Sequence, residues 1–175
     1  KLMVWLTRRL LWLLMHVGAY VSSFLSRQQE FDADRYSARM VGDQTFVSTS
    51  HRFHELNLAS RAAQADLARC WQEQRLPDDY PRLVTANIPQ IPPPVMAQIR
   101  EMILNAKTGL FDSHPCDKDR IARAKRENTS GIFHLDGPAT DLFGDFDSLS
   151  RATTYEHYRG MLGNAISKDQ LIAVA

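Results

Sequence analysis

The chain has 175 residues, which suits one domain with a sizeable apolar core. Hydrophobic residues make up 44% of it, and its formal net charge is +1. This near-neutral charge, without a basic stripe carrying interleaved aromatic residues, argues against nucleic acid as a partner. The two cysteines are too few for a disulfide framework and indicate reduced thiols in a cytosolic compartment.

The first segment, residues 1–25, is strongly apolar. A membrane span needs roughly 20 mostly apolar residues, and Arg8 and Arg9 interrupt the run near its start. Residues 10–25 alone would extend about 24 Å as a helix, which is somewhat short of a span. We therefore expect a membrane-associated helix that contacts the lipid bilayer. The alternatives are a core helix and a helix lying in the plane of the interface.

The second segment, residues 26–42, opens with a serine, a good helix N-cap, and closes with a glycine, the usual residue after a helix end. Within the predicted helix, Glu30 and Asp34 lie four positions apart on one face. One carboxylate of such a pair can bind a metal, while the other holds a partner ligand through a hydrogen bond. The alternative is a solvated charged face with Arg27 beside Glu30 and Arg35 beside Asp34.

The remaining segments predict further helices with irregular stretches between them. Residues 46–75 have the apolar period of a long amphipathic helix. Residues 76–94 contain six prolines and predict an extended connector. Residues 95–127 predict two helices, and residues 128–175 predict an arm and tail with one short helix at 154–162. The predicted fold is mostly α: long helices packed together, with a Pro-rich connector and an irregular C-terminal arm.

A second motif lies between the two helices of residues 95–127. It reads F-D-S-H-P at residues 111–115, followed by D-R-I at residues 119–121. Pro115 suits the start of a helix, so His114 is expected at a geometrically defined place. His114 is then either a functional imidazole or a residue of the helix-capping region.

The two motifs together resemble the HtpX and CAAX-prenyl-endopeptidase family of membrane zinc metallopeptidases. An apolar helix running into S-R-x-x-E-F-x-A-D-R-Y is similar to that family's second metal-binding helix, and S-H-P followed by D-R-I is similar to its S-H-P…E-R-I segment. The resemblance implies that Glu30 is a zinc ligand and that Asp34 accepts a hydrogen bond from a zinc-bound imidazole. It also implies that His114 stabilises the oxyanion of the transition state.

The chain departs from this family in lacking the H-E-x-x-H motif, which supplies two zinc-binding histidines and a general base. It also begins inside the apolar segment without an initiator methionine. We therefore expect residues 26–175 to be the C-terminal part of a zinc metallopeptidase domain, with the missing N-terminal part of the same protein as its partner. A tight zinc site needs three or four protein ligands, so residues 1–175 alone are expected to be inactive.

The function implied by the resemblance is that of a membrane zinc metalloendopeptidase, a protease that hydrolyses a peptide or protein substrate with Zn²⁺-activated water. The implied location is the bacterial inner membrane, with the active site facing the cytoplasm. One alternative is a non-catalytic helical, membrane-anchored interaction module. Another is a cysteine hydrolase that uses Cys116 beside His114.

Overall fold

The computed structural model describes residues 1–174, which form six α-helices and a pair of two-residue strands. This architecture confirms the mostly α-helical fold class. The elements, in chain order, are α1 (Leu2–Val41), α2 (Asp43–Gln72), β1 (Leu76–Pro77), α3 (Tyr80–Asn87), α4 (Pro93–Asn105), α5 (Asp117–Arg126), α6 (Phe146–Leu162) and β2 (Leu171–Ile172).

Helix α1 is one continuous helix of 40 residues, so the predicted helix start at Ser26 is wrong. Ser26 lies mid-helix because no proline separates the apolar run from the polar segment that follows. The predicted end is confirmed: Gly42 adopts a φ of 91°, and its N–H donates to the Ala38 carbonyl at 2.8 Å. Glycine suits this position because a positive φ is costly for other residues.

The apolar part of α1 is exposed in the structure. Helix α1 is long and apolar enough to cross a membrane, and none of its most apolar 18-residue window is buried. The core-helix alternative for residues 1–25 therefore receives no support from the packing of residues 1–174. Length and composition alone give an indication of membrane association.

The described chain divides into two compact units. The first unit comprises residues 1–50 and 99–134, and the second comprises residues 51–98 and 135–174. Two of the three chain boundaries between them fall inside α2 and α4, so neither helix belongs wholly to one unit, and the third falls between α5 and α6.

In the first unit, α5 packs on the C-terminal half of α1. Ala38 of α1 and Ala124 of α5 are buried, and such small side chains let two helix backbones approach closely. The chain after α5 then closes on the end of α1. Gly131, with a φ of +81°, lies so near Gly42 that a Cβ atom there would be 2.4 Å from the Gly42 nitrogen. This contact fixes the position of α5 along the axis of α1.

In the second unit, Tyr158 of α6 is fully buried and forms a core with Leu76 and Ile166. Strand β1 pairs with β2 in parallel, Leu76 being opposite Leu171. Residues 171–172 are thus paired by backbone hydrogen bonds, whereas the sequence predicted an irregular arm and tail over residues 128–175.

The predicted extended connector at residues 76–94 is wrong, because it contains α3. Asp79 caps this helix by accepting from the Arg82 N–H at 2.9 Å, and Pro81 lies in its first turn. The first turn of a helix needs no donor from proline, so a proline there is compatible with a helix. Helix α6 also has an aspartate cap, and it begins at Phe146 and not at residue 154. Asp145 accepts a hydrogen bond from the Ser148 N–H at 3.0 Å.

Candidate active site

The two sequence motifs meet in the first unit. The Nδ1 atom of His114 is in direct contact with the Oε1 atom of Glu30, across 84 positions of sequence. The side chain of His114 is 76% exposed, and that of Glu30 is 25% exposed. Helix α1 presents the carboxylate, and the segment leading into α5 presents the imidazole. The structure therefore brings Glu30 and His114 together at a solvent-accessible place.

Asp34 lies one turn beyond Glu30 and is held by Arg120 of α5. Arg120 Nε donates to Asp34 Oδ2 at 2.7 Å, and Nη2 donates to Oδ1 at 2.6 Å, which is a bidentate charge-assisted pair. Arg120 Nη1 is 4.0 Å from Glu30 Oε2. The pKa of Arg120 is raised, chiefly by its hydrogen bond to Asp34. One guanidinium thus forms ion pairs with both carboxylates of the E-x-x-x-D motif.

The solvated-face alternative for this helix is wrong for Asp34, which is only 4% exposed. The neighbour pairs expected on that face are also not the ones formed. Arg35 pairs with Asp32 at 3.4 Å, and Asp34 pairs with Arg120. A buried carboxylate is costly unless it is paired, so the Arg120 contact makes the burial of Asp34 tolerable.

Arg27 holds the loop that leads to His114. Its Nη1 donates to the carbonyl oxygens of Leu110 at 3.2 Å and of Asp112 at 2.5 Å. The hydroxyl of Ser23, one turn earlier on α1, donates to the carbonyl of Phe111 at 3.0 Å. Three consecutive loop carbonyls are thereby satisfied by side chains of α1, so the loop is tied to the helix that carries Glu30.

Thr108 ties the other side of this loop to α5. Its hydroxyl donates to Asp119 Oδ2 at 2.7 Å and accepts from the Cys116 N–H at 3.0 Å. The hydrogen bond from Thr108 is the main reason that the pKa of Asp119 is lowered. His114 is therefore presented by a segment that is fixed at both ends.

Cys116 is not paired with His114. Its thiol donates to the carbonyl of Ala106, with the sulfur 3.6 Å from the oxygen, and His114 contacts Glu30. A cysteine nucleophile needs a base within hydrogen-bond reach of the sulfur. The cysteine-hydrolase alternative therefore lacks the required geometry.

The carboxylate of Glu30 and the imidazole of His114 are donor types that zinc binds in proteins. Nowhere in residues 1–174 do three or more histidine, cysteine, aspartate or glutamate side chains come together to hold a metal ion. The donor chemistry suits zinc, and within the described chain the donor set is incomplete.

The contact of Arg120 with Asp34 and that of Arg27 with the loop carbonyls were not predicted from the sequence. The sequence motifs contain Arg120 and Arg27, but their spacing does not name a partner for either. A clue was present in the charges: an arginine inside the D-R-I motif needs an acid, and the paired carboxylates of α1 need a cation. The actual pairing spans 86 positions of sequence.

The chain was also compared with known proteins. The model of peptidase family M48 matches residues 5–128, which is more than half of the chain and includes both motifs. No curated protein and no solved structure matches the chain significantly. The chain therefore belongs to peptidase family M48, a family of zinc metallopeptidases.

Proposed function

We propose that this chain is the C-terminal part of a membrane-anchored zinc metalloendopeptidase of the HtpX and CAAX-prenyl-endopeptidase type. The observation that carries the proposal is the convergence of the E-x-x-x-D and S-H-P motifs, seen in the contact between Glu30 and His114. The pairing of Asp34 with Arg120 beside it supports the same reading, because it joins the two motifs at a second point.

In this proposal Glu30 is one zinc ligand, and an H-E-x-x-H helix outside this chain supplies two histidines and the general base. Zinc in such a site makes water nucleophilic near neutral pH and polarises a carbonyl. The incomplete donor set within residues 1–174 is the reason for placing the remaining ligands elsewhere in the parent protein. Residues 1–175 by themselves are then inactive.

His114 acts on the peptide substrate. Its exposed imidazole turns from Glu30 and donates a hydrogen bond to the scissile carbonyl oxygen as that oxygen gains negative charge. A donor of this kind contributes about 3 kcal/mol to transition-state stabilisation.

Asp34 orients a histidine ligand by accepting its second N–H, which fixes the tautomer. Each carboxylate oxygen can accept a second hydrogen bond. Asp34 can therefore accept a hydrogen bond from the histidine while it also accepts from Arg120.

We also propose that the apolar part of α1 anchors the parent protein in a bacterial inner membrane, with Glu30 on the cytoplasmic side. Support comes from α5, which packs on α1 and carries five basic residues in ten. Basic residues close to a span favour the cytoplasmic face.

The test is zinc content and casein cleavage by the full-length protein, with Glu30→Gln compared against the wild type. Asp32→Asn is the matched control, because it neutralises an exposed carboxylate on the same helix. Loss of stoichiometric zinc and of activity in Glu30→Gln, with both kept in Asp32→Asn, is the expected result. Asp34→Ala should weaken zinc binding and activity by about 10- to 100-fold.

Zinc and proteolysis that survive Glu30→Gln would contradict the assignment of the ligand. Zinc and activity absent from the wild type as well would favour the other candidate, a non-catalytic helical interaction module anchored by α1.

A further inference from the structure

A second feature of the first unit is a pocket of about 400 Å³ between α1, the loop after α4, and α5. Its wall includes Arg27 of α1 and Leu110 of the loop that leads to His114, which are hydrogen-bonded to each other, and this wall has two kinds of surface. The apolar surface is formed by Phe24, Phe31 and Leu110, and the cationic surface by Arg27, Arg123 and Arg126.

The charge of this pocket is positive. Asp119 is the single acidic residue of its wall, and its carboxylate is already engaged by Thr108. Arg126 forms no hydrogen bond or ion pair with any residue in 1–174. The guanidinium of Arg123 lies over the ring of Phe31, 3.6 Å from its centroid. Stacking uses the face of a guanidinium and leaves its in-plane N–H groups available. The pocket thus offers donors to an anion.

The apolar wall continues towards the apolar part of α1. Leu110 and Phe111 are 67% and 56% exposed at the tip of the loop. The ring of Phe111 meets the ring of His16 edge-on, with centroids 6.1 Å apart. His16 lies two turns before Ser23, which holds the same loop. The loop therefore runs back along the apolar run and places hydrophobic side chains beside it.

We propose that this pocket binds the headgroup phosphate of an anionic phospholipid. The phosphate sits between Arg123 and Arg126, and the acyl chains lie along Phe24, Leu110 and the apolar part of α1. An acidic peptide would satisfy the arginines but not the apolar wall, so the lipid fits the whole surface better. The proposal rests on the membrane anchoring of α1 put forward above.

The experiment is native mass spectrometry of the full-length protein in neutral detergent, titrated separately with phosphatidylglycerol and with phosphatidylcholine of the same acyl chains. The wild type should bind the first phosphatidylglycerol more tightly than phosphatidylcholine. Arg126→Gln should reduce that preference about fivefold, which is one basic residue's attraction to an anionic lipid. Arg126→Lys should keep most of it.

Lys125→Gln is the matched control, since it removes the same charge from the adjacent, exposed position outside the pocket wall. Its lipid preference should equal that of the wild type. Arg126 has no partner to lose among the described residues, so its replacement leaves folding intact.

Equal binding of the two lipids would overturn the proposal, and so would equal losses in Arg126→Gln and Lys125→Gln. Inorganic phosphate that binds as tightly as phosphatidylglycerol would show a pocket for free phosphate instead. An acidic peptide that displaces the lipid at equal concentration would show a peptide subsite.

Two further measurements separate this proposal from the proposed function. Extraction of the protein from membranes by carbonate would refute the anchoring of α1, whatever the lipid titrations show. Absence of zinc would refute the peptidase without touching the lipid site. An inserted, zinc-loaded protein with no preference for phosphatidylglycerol would refute the lipid site alone.

Discussion

Replacing Arg120 with glutamine removes both charge-assisted hydrogen bonds from Asp34 and leaves that carboxylate buried without its cation. We expect Arg120→Gln to destabilise the first unit, because α1 and α5 are joined at this point. The effect should exceed that of Arg39→Gln, the matched control. Arg39 of α1 also forms an ion pair at 2.7 Å, with Glu127 directly after α5, but the Arg39 side chain is 56% exposed.

The magnitude follows from the burial of the pair. Removing one partner of a fully buried ion pair costs about 3–5 kcal/mol. The side chain of Arg120 is 36% exposed, so water can partly solvate the orphaned carboxylate. We therefore expect a loss of about 2–3 kcal/mol for Arg120→Gln. For Arg39→Gln we expect a loss below about 1 kcal/mol.

The assay is thermal unfolding of the full-length protein in detergent, followed by circular dichroism. A loss of about 2–3 kcal/mol corresponds to a Tm lower by about 5–10 °C. The raised pKa of Arg120 means that its stabilisation is present below the ordinary arginine pKa and is lost only as the pH rises through the higher folded value. The difference in Tm from the wild type should therefore be constant between about pH 6 and 9.

A double-mutant cycle with Asp34→Asn tests the pairing itself. In the double variant two neutral amides replace the ions. The loss of stability in the double variant should therefore be smaller than the sum of the two single losses by about 1–3 kcal/mol. Losses that add to within about 0.5 kcal/mol would refute the coupling of Asp34 and Arg120. A Tm for Arg120→Gln no lower than that for Arg39→Gln would refute the argument from burial.

Two further predictions concern backbone fit and a buried amide. Gly131→Ala should destabilise the protein by at least about 2 kcal/mol, because of its positive φ and the 2.4 Å approach of a Cβ to the Gly42 nitrogen. Gly160→Ala, in α6 with no atom within 4 Å of a Cβ, should instead stabilise it by about 0.5–1 kcal/mol; equal effects in thermal unfolding would contradict this reasoning. Asn87→Ala should cost about 1–2 kcal/mol, because the buried amide of Asn87 donates to Asp66 at 3.0 Å. That hydrogen bond is the main reason that the pKa of Asp66 is lowered. The stabilisation from the hydrogen bond is therefore present above pH 3.8, the ordinary pKa of aspartate, and is lost as the pH falls through the lower folded pKa. Denaturant unfolding at pH 7 and near pH 3 should therefore show a smaller gap between Asn87→Ala and the wild type at the lower pH, and a constant gap would contradict the assignment.

The helices were largely predictable because their signals are local. The apolar run and the residue Gly42 mark the body and the end of α1, and the four-residue spacing places Glu30 and Asp34 on one face. Errors arose where a local signal had two readings. Ser26 is a good N-cap and is also compatible with a helix interior. Pro81 breaks a helix interior but is well suited to a first turn.

The composition of the candidate site could be read from the motifs, but its contacts could not. Nothing in the sequence near Asp34 says that its cation is Arg120, since Arg35 is adjacent and carries the same charge. Likewise, Arg27 has an acid one turn away and yet bonds to loop carbonyls more than 80 positions distant.

By itself, the sequence determined that the chain is mostly helical, that Glu30 and Asp34 share one helix face, and that an S-H-P segment precedes the helix bearing D-R-I. These features depend on spacing along one helix or on residues at its ends. Only the tertiary structure decided that Glu30 meets His114, that Arg120 holds Asp34, and that the arginines of α1 and α5 share a pocket. Those outcomes depend on how α5 packs against α1, which is set by small buried side chains and by the close approach of Gly131 to Gly42, contacts between residues far apart in the chain.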